Sequence, residues 1–204
     1  QVVNEYVSNS LATSPYESAS KASILLFALG CIWLAGLIIM ILYSVISYAV
    51  LRNKLRTSTL YAKGIKQSDS IDSPFVLGVF KPTIYIPYSL KGADLEYVVS
   101  HEKAHIRRKD FLWKPLGFLI LSVYWFNPVI WIAYIFLCRD IEAACDEKVI
   151  SELDADSRKE YSLALLNCSV KHKLITACPV AFGETGVKSR IKSVMNYKKP
   201  AFWI

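Results

Sequence analysis

His101-Glu102-Lys103-Ala104-His105 reads H-E-x-x-H, and the rest of the chain takes its meaning from this stretch. On a helix, residues at i and i+4 stack on one face, so the two imidazoles can approach a single Zn²⁺ from two corners of a tetrahedron. Glu102 then sits beside the ion rather than on it, placed to take a proton from an attacking water. Histidine is scarce, with 3 in 204 residues. The third, His172, lies between Lys171 and Lys173 and reads as exposed.

Around the motif, residues 94–109 have helical periodicity. Leu95, Val98 and Val99 share a stripe with the histidines, while Glu96 and Lys103 fall off it. Asp94 is the expected N-cap. Arg107, Arg108 and Lys109 close the helix where its dipole favours cations, within reach of anionic lipid head groups.

A catalytic zinc needs a third protein ligand. Asp140-Ile141-Glu142-Ala143-Ala144-Cys145-Asp146 is again helical in period, with Glu142 and Asp146 one turn apart. Glu142 is the expected third ligand, and Asp146 is expected to brace a histidine from behind. This choice constrains the apolar run 116–138 that lies between. A single straight crossing there would put the ligands about 30 Å apart. Asn127-Pro128 interrupts the run, and an X-Pro step breaks or kinks a helix. The run is therefore expected to be a re-entrant or membrane-surface helical hairpin.

Residues 23–51 carry no charge and are long enough to cross a bilayer. Arg52, Lys54 and Arg56 follow at once, so this end is expected to face the cytoplasm and residues 1–22 the outside. The chain starts at Gln1 rather than Met and reads as a piece of a longer protein, with a further transmembrane helix starting at 201–204. Residues 57–73 read as a polar linker. From Ser73 to Pro87, β-branched and aromatic residues bounded by prolines predict two short strands with a turn near Lys81-Pro82. Proline confines one to a sheet edge, and Phe75, Val76, Leu77, Gly78 and Val79 form either the edge where a peptide substrate pairs or one arm of a small structural hairpin. Beyond 150, a polar helix is expected to bury Tyr161, Leu163, Leu165 and Leu166. The basic stretch 187–200 is expected to lie on the inner membrane surface.

Composition agrees. The chain is 53% hydrophobic yet carries net charge +7, which fits a membrane protein with its charges gathered on one side. No nucleic-acid recognition motif accompanies the charge. The 5 cysteines are odd in number and form no C-x-x-C pair, which argues against a disulfide framework or a cysteine zinc site.

Ser73-Pro74-Phe75 through Pro87, the 101–105 motif with Ile106-Arg107-Arg108-Lys109-Asp110, Phe126-Asn127-Pro128, and Glu142 through Asp146, in this order and spacing, resemble the BlaR/MecR family of bacterial membrane zinc metallopeptidases. The resemblance implies an α+β membrane protein: a mainly helical gluzincin-like protease domain over 52–200, a small sheet, one transmembrane helix and the hairpin. It implies one Zn²⁺ on His101, His105 and Glu142, with Glu102 as base. It also implies a β-lactam signal transducer that cleaves itself and a cytoplasmic repressor, with an extracellular sensor outside this chain. The segment from about Lys171 to Arg190 is the expected place of self-cleavage. A homodimer is compatible with these features. Two rivals share the motif: a housekeeping membrane protease of the CAAX or heat-shock type, and a non-enzymatic signalling scaffold whose zinc is structural. Four protein ligands on the ion would favour the scaffold.

Overall fold

A computed structural model of the chain describes residues 21–170 and 187–197. The expected outer loop 1–22 (but for its last two residues), most of the expected self-cleavage segment, His172 and residues 201–204 lie outside these. The described chain is mostly helical with a small mixed sheet.

Helix α1 runs Lys21–Lys54, and its run from Ala22 is the one stretch among the described residues long and apolar enough to cross a membrane. Its C-terminal end packs on the sheet region. Leu51 and Leu55 are buried against Ile71 and Leu77 of the sheet region, with Tyr48, Phe75 and Tyr85 around them.

The sheet follows: β1 (Thr59–Ala62), β2 (Ile65–Ser68), β3 (Phe75–Leu77) and β4 (Thr83–Pro87), in the order β1-β2-β4-β3. β2 and β4 are parallel, and the two outer pairings are antiparallel. The expected pair at 75–87 forms, but the stretch read as a linker is itself a hairpin, turning at Gly64 with φ 80°. Its strands carry too few apolar residues to declare themselves; β1 is exposed throughout, and β2 is held by pairing with β4. The expected edge is also shorter than its sequence suggests. It stops at Leu77, because Gly78 takes φ 111° and packs so tightly that a Cβ there would lie 2.6 Å from the Lys81 carbonyl oxygen.

Ile65, Ile84 and Ile86 pack the sheet onto helix α2 (Ala93–Arg108) through Leu95, Val99 and Ile106. The N-cap of α2 is Gly92, not Asp94, which falls in the first turn; Gly92 adopts φ 66°, which an aspartate would enter only with strain. At the other end Lys109 is left-handed, with φ 61°, and helix α3 (Asp110–Val123) begins on the next residue. A left-handed lysine costs about 1 kcal/mol or more, so the sharp corner is held by what surrounds it.

Helix α4 (Pro128–Ile150) runs back beside α3. The Asn127 side chain accepts from the Val129 N–H at 2.9 Å, and Pro128 takes the first helical position, where its missing donor costs nothing. Phe118, Leu121, Tyr134 and Cys138 fill the space between the two helices. Their outer faces expose Trp113, Leu119, Phe126, Val129, Ile132 and Phe136. The turn of this hairpin reaches α1. Trp33 donates to the Val123 carbonyl at 2.8 Å, Trp125 to the Trp33 carbonyl at 3.2 Å, and Trp131 to the Trp125 carbonyl at 2.8 Å. A side chain on Gly36 would collide with the Trp125 indole, so glycine is what lets the turn seat on α1.

Helix α5 (Ala155–Val170) buries Tyr161, Ala164, Leu165 and Cys168, spaced i, i+3, i+4, i+7. Leu163 and Leu166, expected inside, are 58% and 42% exposed because they lie off this stripe. Helix α6 (Val187–Met195) does not simply lie on a surface. It packs on α4 and α5 and turns Arg190 and Val194 inward. Ala104, Cys145, Val149, Ile150, Tyr161, Leu165 and Val194 form one core cluster directly behind the H-E-x-x-H turn.

Candidate metal centre

His101, Glu102 and His105 project from the buried face of α2, and Glu142 and Asp146 from that of α4; all five are less than a tenth exposed. His101 Nε2 lies 3.4 Å from Glu142 Oε2, and His105 Nε2 lies 3.7 Å from Glu142 Oε1. One potential ligand atom from each of the three lies within 4.8 Å of the others. In a tetrahedron with bonds of about 2.0–2.1 Å, neighbouring ligand atoms are about 3.3–3.4 Å apart. The three side chains therefore fit a single zinc. Among the described residues this group offers three donors, which leaves one corner for water or substrate.

Each imidazole is fixed from behind by its other nitrogen. His101 Nδ1 is 2.9 Å from the Tyr161 hydroxyl and 3.2 Å from Asp146 Oδ1. Tyr161 in turn donates to Asp146 Oδ1 at 2.6 Å. Burial and the adjoining Asp146 push the Tyr161 phenol well above its ordinary value, so it keeps its proton. His105 Nδ1 is 2.9 Å from Asp110 Oδ2. With acceptors at both Nδ1 atoms, each of these nitrogens carries a proton, and both Nε2 atoms face Glu142. This carboxylate–histidine pairing is how metal-bound histidines are usually held.

Asp110 owes its place to the left-handed Lys109. In an unbroken helix a residue at i+5 points about 140° away from residue i. The corner at Lys109 brings Asp110 back under His105. The Cys145 thiol also donates to Asp110 Oδ2, at 3.2 Å. His105, Asp110 and Cys145 thus form a second close group. Burial and the Asp110 carboxylate push the Cys145 thiol well up, so it is a donor there and not a thiolate ligand. Asp110→Asn is expected to keep the fold and to weaken zinc binding about 10–100-fold, read by competition with a chromogenic chelator.

The Glu142 carboxylate is flanked on both sides by cations. Lys114 Nζ, the one charge between Asp110 and Arg139, lies 2.9 Å from Oε1; Arg190 Nη1 lies 3.4 Å from Oε2. Burial alone would raise the Glu142 pKa, but Lys114 and the two imidazoles hold it well below the carboxylate range. Burial would likewise raise Asp146, but hydrogen bonds from Arg190 and His101 bring it to about 2. Burial would lower His101, yet Asp146 and Glu142 outweigh it and lift the imidazole to about 9; His105 is raised by Glu142 and Asp110 against the same penalty. Protons and a metal ion compete for these nitrogens, so zinc uptake releases protons.

Sequence reasoning had placed His101, Glu102, His105, Glu142 and Asp146, and these stand together. β3, at Phe75–Leu77, is an edge strand beside α2. Asp110, Lys114, Tyr161 and Arg190 were not foreseen as parts of the site. Only Lys114 carried a signal, as a lone charge at the head of an apolar run.

Residues 1–194 match the family described as BlaR1 peptidase M56. The methicillin resistance mecR1 protein of Staphylococcus aureus is 28% identical over 141 residues, covering 65% of this chain and 24% of that protein. The regulatory protein BlaR1 of Bacillus licheniformis is 32% identical over 141 residues, covering 66% and 24%. BlaR1 of Staphylococcus aureus is 23% identical over 140 residues. The chain thus spans about a quarter of the length of the curated relatives it matches.

Proposed function

The chain belongs to the BlaR1 peptidase M56 family, and on that premise we propose that it is the protease part of a membrane signal transducer for β-lactam antibiotics, working as a zinc endopeptidase of the gluzincin type. The observation that carries this reading is the convergence of His101, His105 and Glu142 from two helices, with both Nε2 atoms turned to one carboxylate.

His101, His105 and Glu142 would hold the ion, and Asp146, Tyr161 and Asp110 would keep the two rings in register. A zinc held there would supply a water with a pKa near 7 and a Lewis acid for a peptide carbonyl. Glu102, next to His101 and nearly buried, takes the proton from the attacking water onto its carboxylate. It then passes that proton to the amide nitrogen as the carbon–nitrogen bond breaks, and so returns to its starting state. A substrate strand pairs with the edge of β3 that has no partner strand among the described residues, over Phe75–Leu77 and towards Gly78 and Val79.

α1 crosses the bilayer with residues 1–22 outside and the protease domain, 52–200, in the cytoplasm. Asp110 at the head of α3 and Glu142 on α4 flank the same site, so the α3–α4 hairpin enters and leaves the membrane on one side. The indole N–H groups that meet the carbonyls at its turn do there what water does elsewhere, which supports a re-entrant placement. The substrates in this reading are the chain itself, between about Lys171 and Arg190, and a cytoplasmic repressor; a sensor domain beyond this chain and a second copy of it are the other partners.

The test is metal removal in reconstituted membranes. Treatment with 1,10-phenanthroline is expected to stop self-cleavage, and added Zn²⁺ to restore it. Cleavage that continues after the metal has been stripped would exclude the mechanism.

A further inference from the structure

Arg190 comes from α6, an element that contributes no expected ligand, yet its guanidinium is driven into the centre and is only 6% exposed. One edge is pinned: Nε donates to Asp146 Oδ2 and Nη2 to Asp146 Oδ1, both at 2.7 Å. The group also reaches towards the ligand atoms themselves. Nη1 lies 3.4 Å from Glu142 Oε2, and Nη2 lies 3.4 Å from His101 Nε2. A cleft of about 400 Å³ between α4 and α6 opens onto the same atoms, lined by Glu142, Asp146, Ile150, Arg190 and Val194 among others.

We propose that Arg190 is a catalytic residue that donates from its guanidinium to the carbonyl oxygen of the scissile peptide, on the His101 side of the ion. This rests on the zinc-peptidase reading above. Arg190 is a fixed planar donor anchored by Asp146, so it is already oriented when charge builds on that oxygen. Its bond strengthens as the oxygen becomes an oxyanion, so its effect belongs to the rate of the chemical step rather than to substrate affinity.

Arg190→Lys tests this in the full chain, zinc-loaded in nanodiscs. Lysine keeps the charge and one bond to Asp146 but lacks the second edge. Four quantities are compared with the parent: zinc per chain, melting temperature, rate of cleavage in trans of a Glu102→Gln copy of the chain that keeps Arg190, and affinity for N-phosphoryl-Leu-Phe, whose tetrahedral phosphoryl oxygens mimic the attacked carbonyl. The expected result is unchanged zinc and melting, with cleavage slowed about 100-fold and the phosphoramidate bound weaker by a similar factor. A variant that binds the phosphoramidate as tightly as the parent, or whose loss of cleavage merely follows loss of zinc, overturns the role of Arg190 alone. A parent that binds no zinc overturns the reading beneath it as well.

Discussion

Glu102→Gln is expected to bind zinc like the parent and to cleave about 10³-fold more slowly or not at all. The substitution keeps shape and hydrogen-bonding capacity at a position only 7% exposed, so neither packing nor the metal ligands should notice it. What it removes is a carboxylate outside the expected ligand set that can accept a proton in the attack and return it to the leaving nitrogen. Zinc per chain by plasma mass spectrometry, beside the rate of self-cleavage in reconstituted membranes, separates the two properties. Equal zinc with equal cleavage would mean that Glu102 is not the base.

His101→Ala is expected to empty the site. Zinc sites with four protein ligands hold the ion by about 10–16 kcal/mol, or roughly 3 kcal/mol for each ligand, so losing one of three should weaken binding by at least about a hundredfold. This variant is cleaner than one at Glu142. Without His101, Asp146 still holds Arg190 and Tyr161. Without Glu142, Lys114 and Arg190 would face each other buried beside an uncompensated centre, and the chain would lose stability for reasons unrelated to metal. A His101→Ala chain that still carries one zinc would remove this histidine from the ligand set.

The parts of the site visible in the sequence are those set by helical period. His101 and His105 share a face because they are four apart, and Glu142 and Asp146 for the same reason. Asn127-Pro128 announced a break in the apolar run, and the structure turns that break into the start of α4. Asp110 was hidden because its partnership with His105 depends on a left-handed lysine, which no pattern of residue types declares. Arg190 was hidden among Lys188, Lys192 and other basic residues of an amphipathic stretch; only packing of α6 on α4 singles it out. The β1–β2 hairpin escaped because its stability resides in pairing with β4, far along the chain, rather than in its own apolar content. Leu163 and Leu166 show the limit of counting leucines, since the buried stripe of α5 is set by Tyr161 and Leu165 and completed by small residues.

X-ray absorption at the zinc edge, on the purified full chain, bears most directly on whether one ion sits on His101, His105 and Glu142. The expected spectrum has a single shell of nitrogen and oxygen at about 2.0–2.1 Å with the multiple scattering of two imidazoles. A sulfur neighbour at about 2.3 Å would instead put the ion on Cys145, in the His105–Asp110–Cys145 group, and would contradict the account.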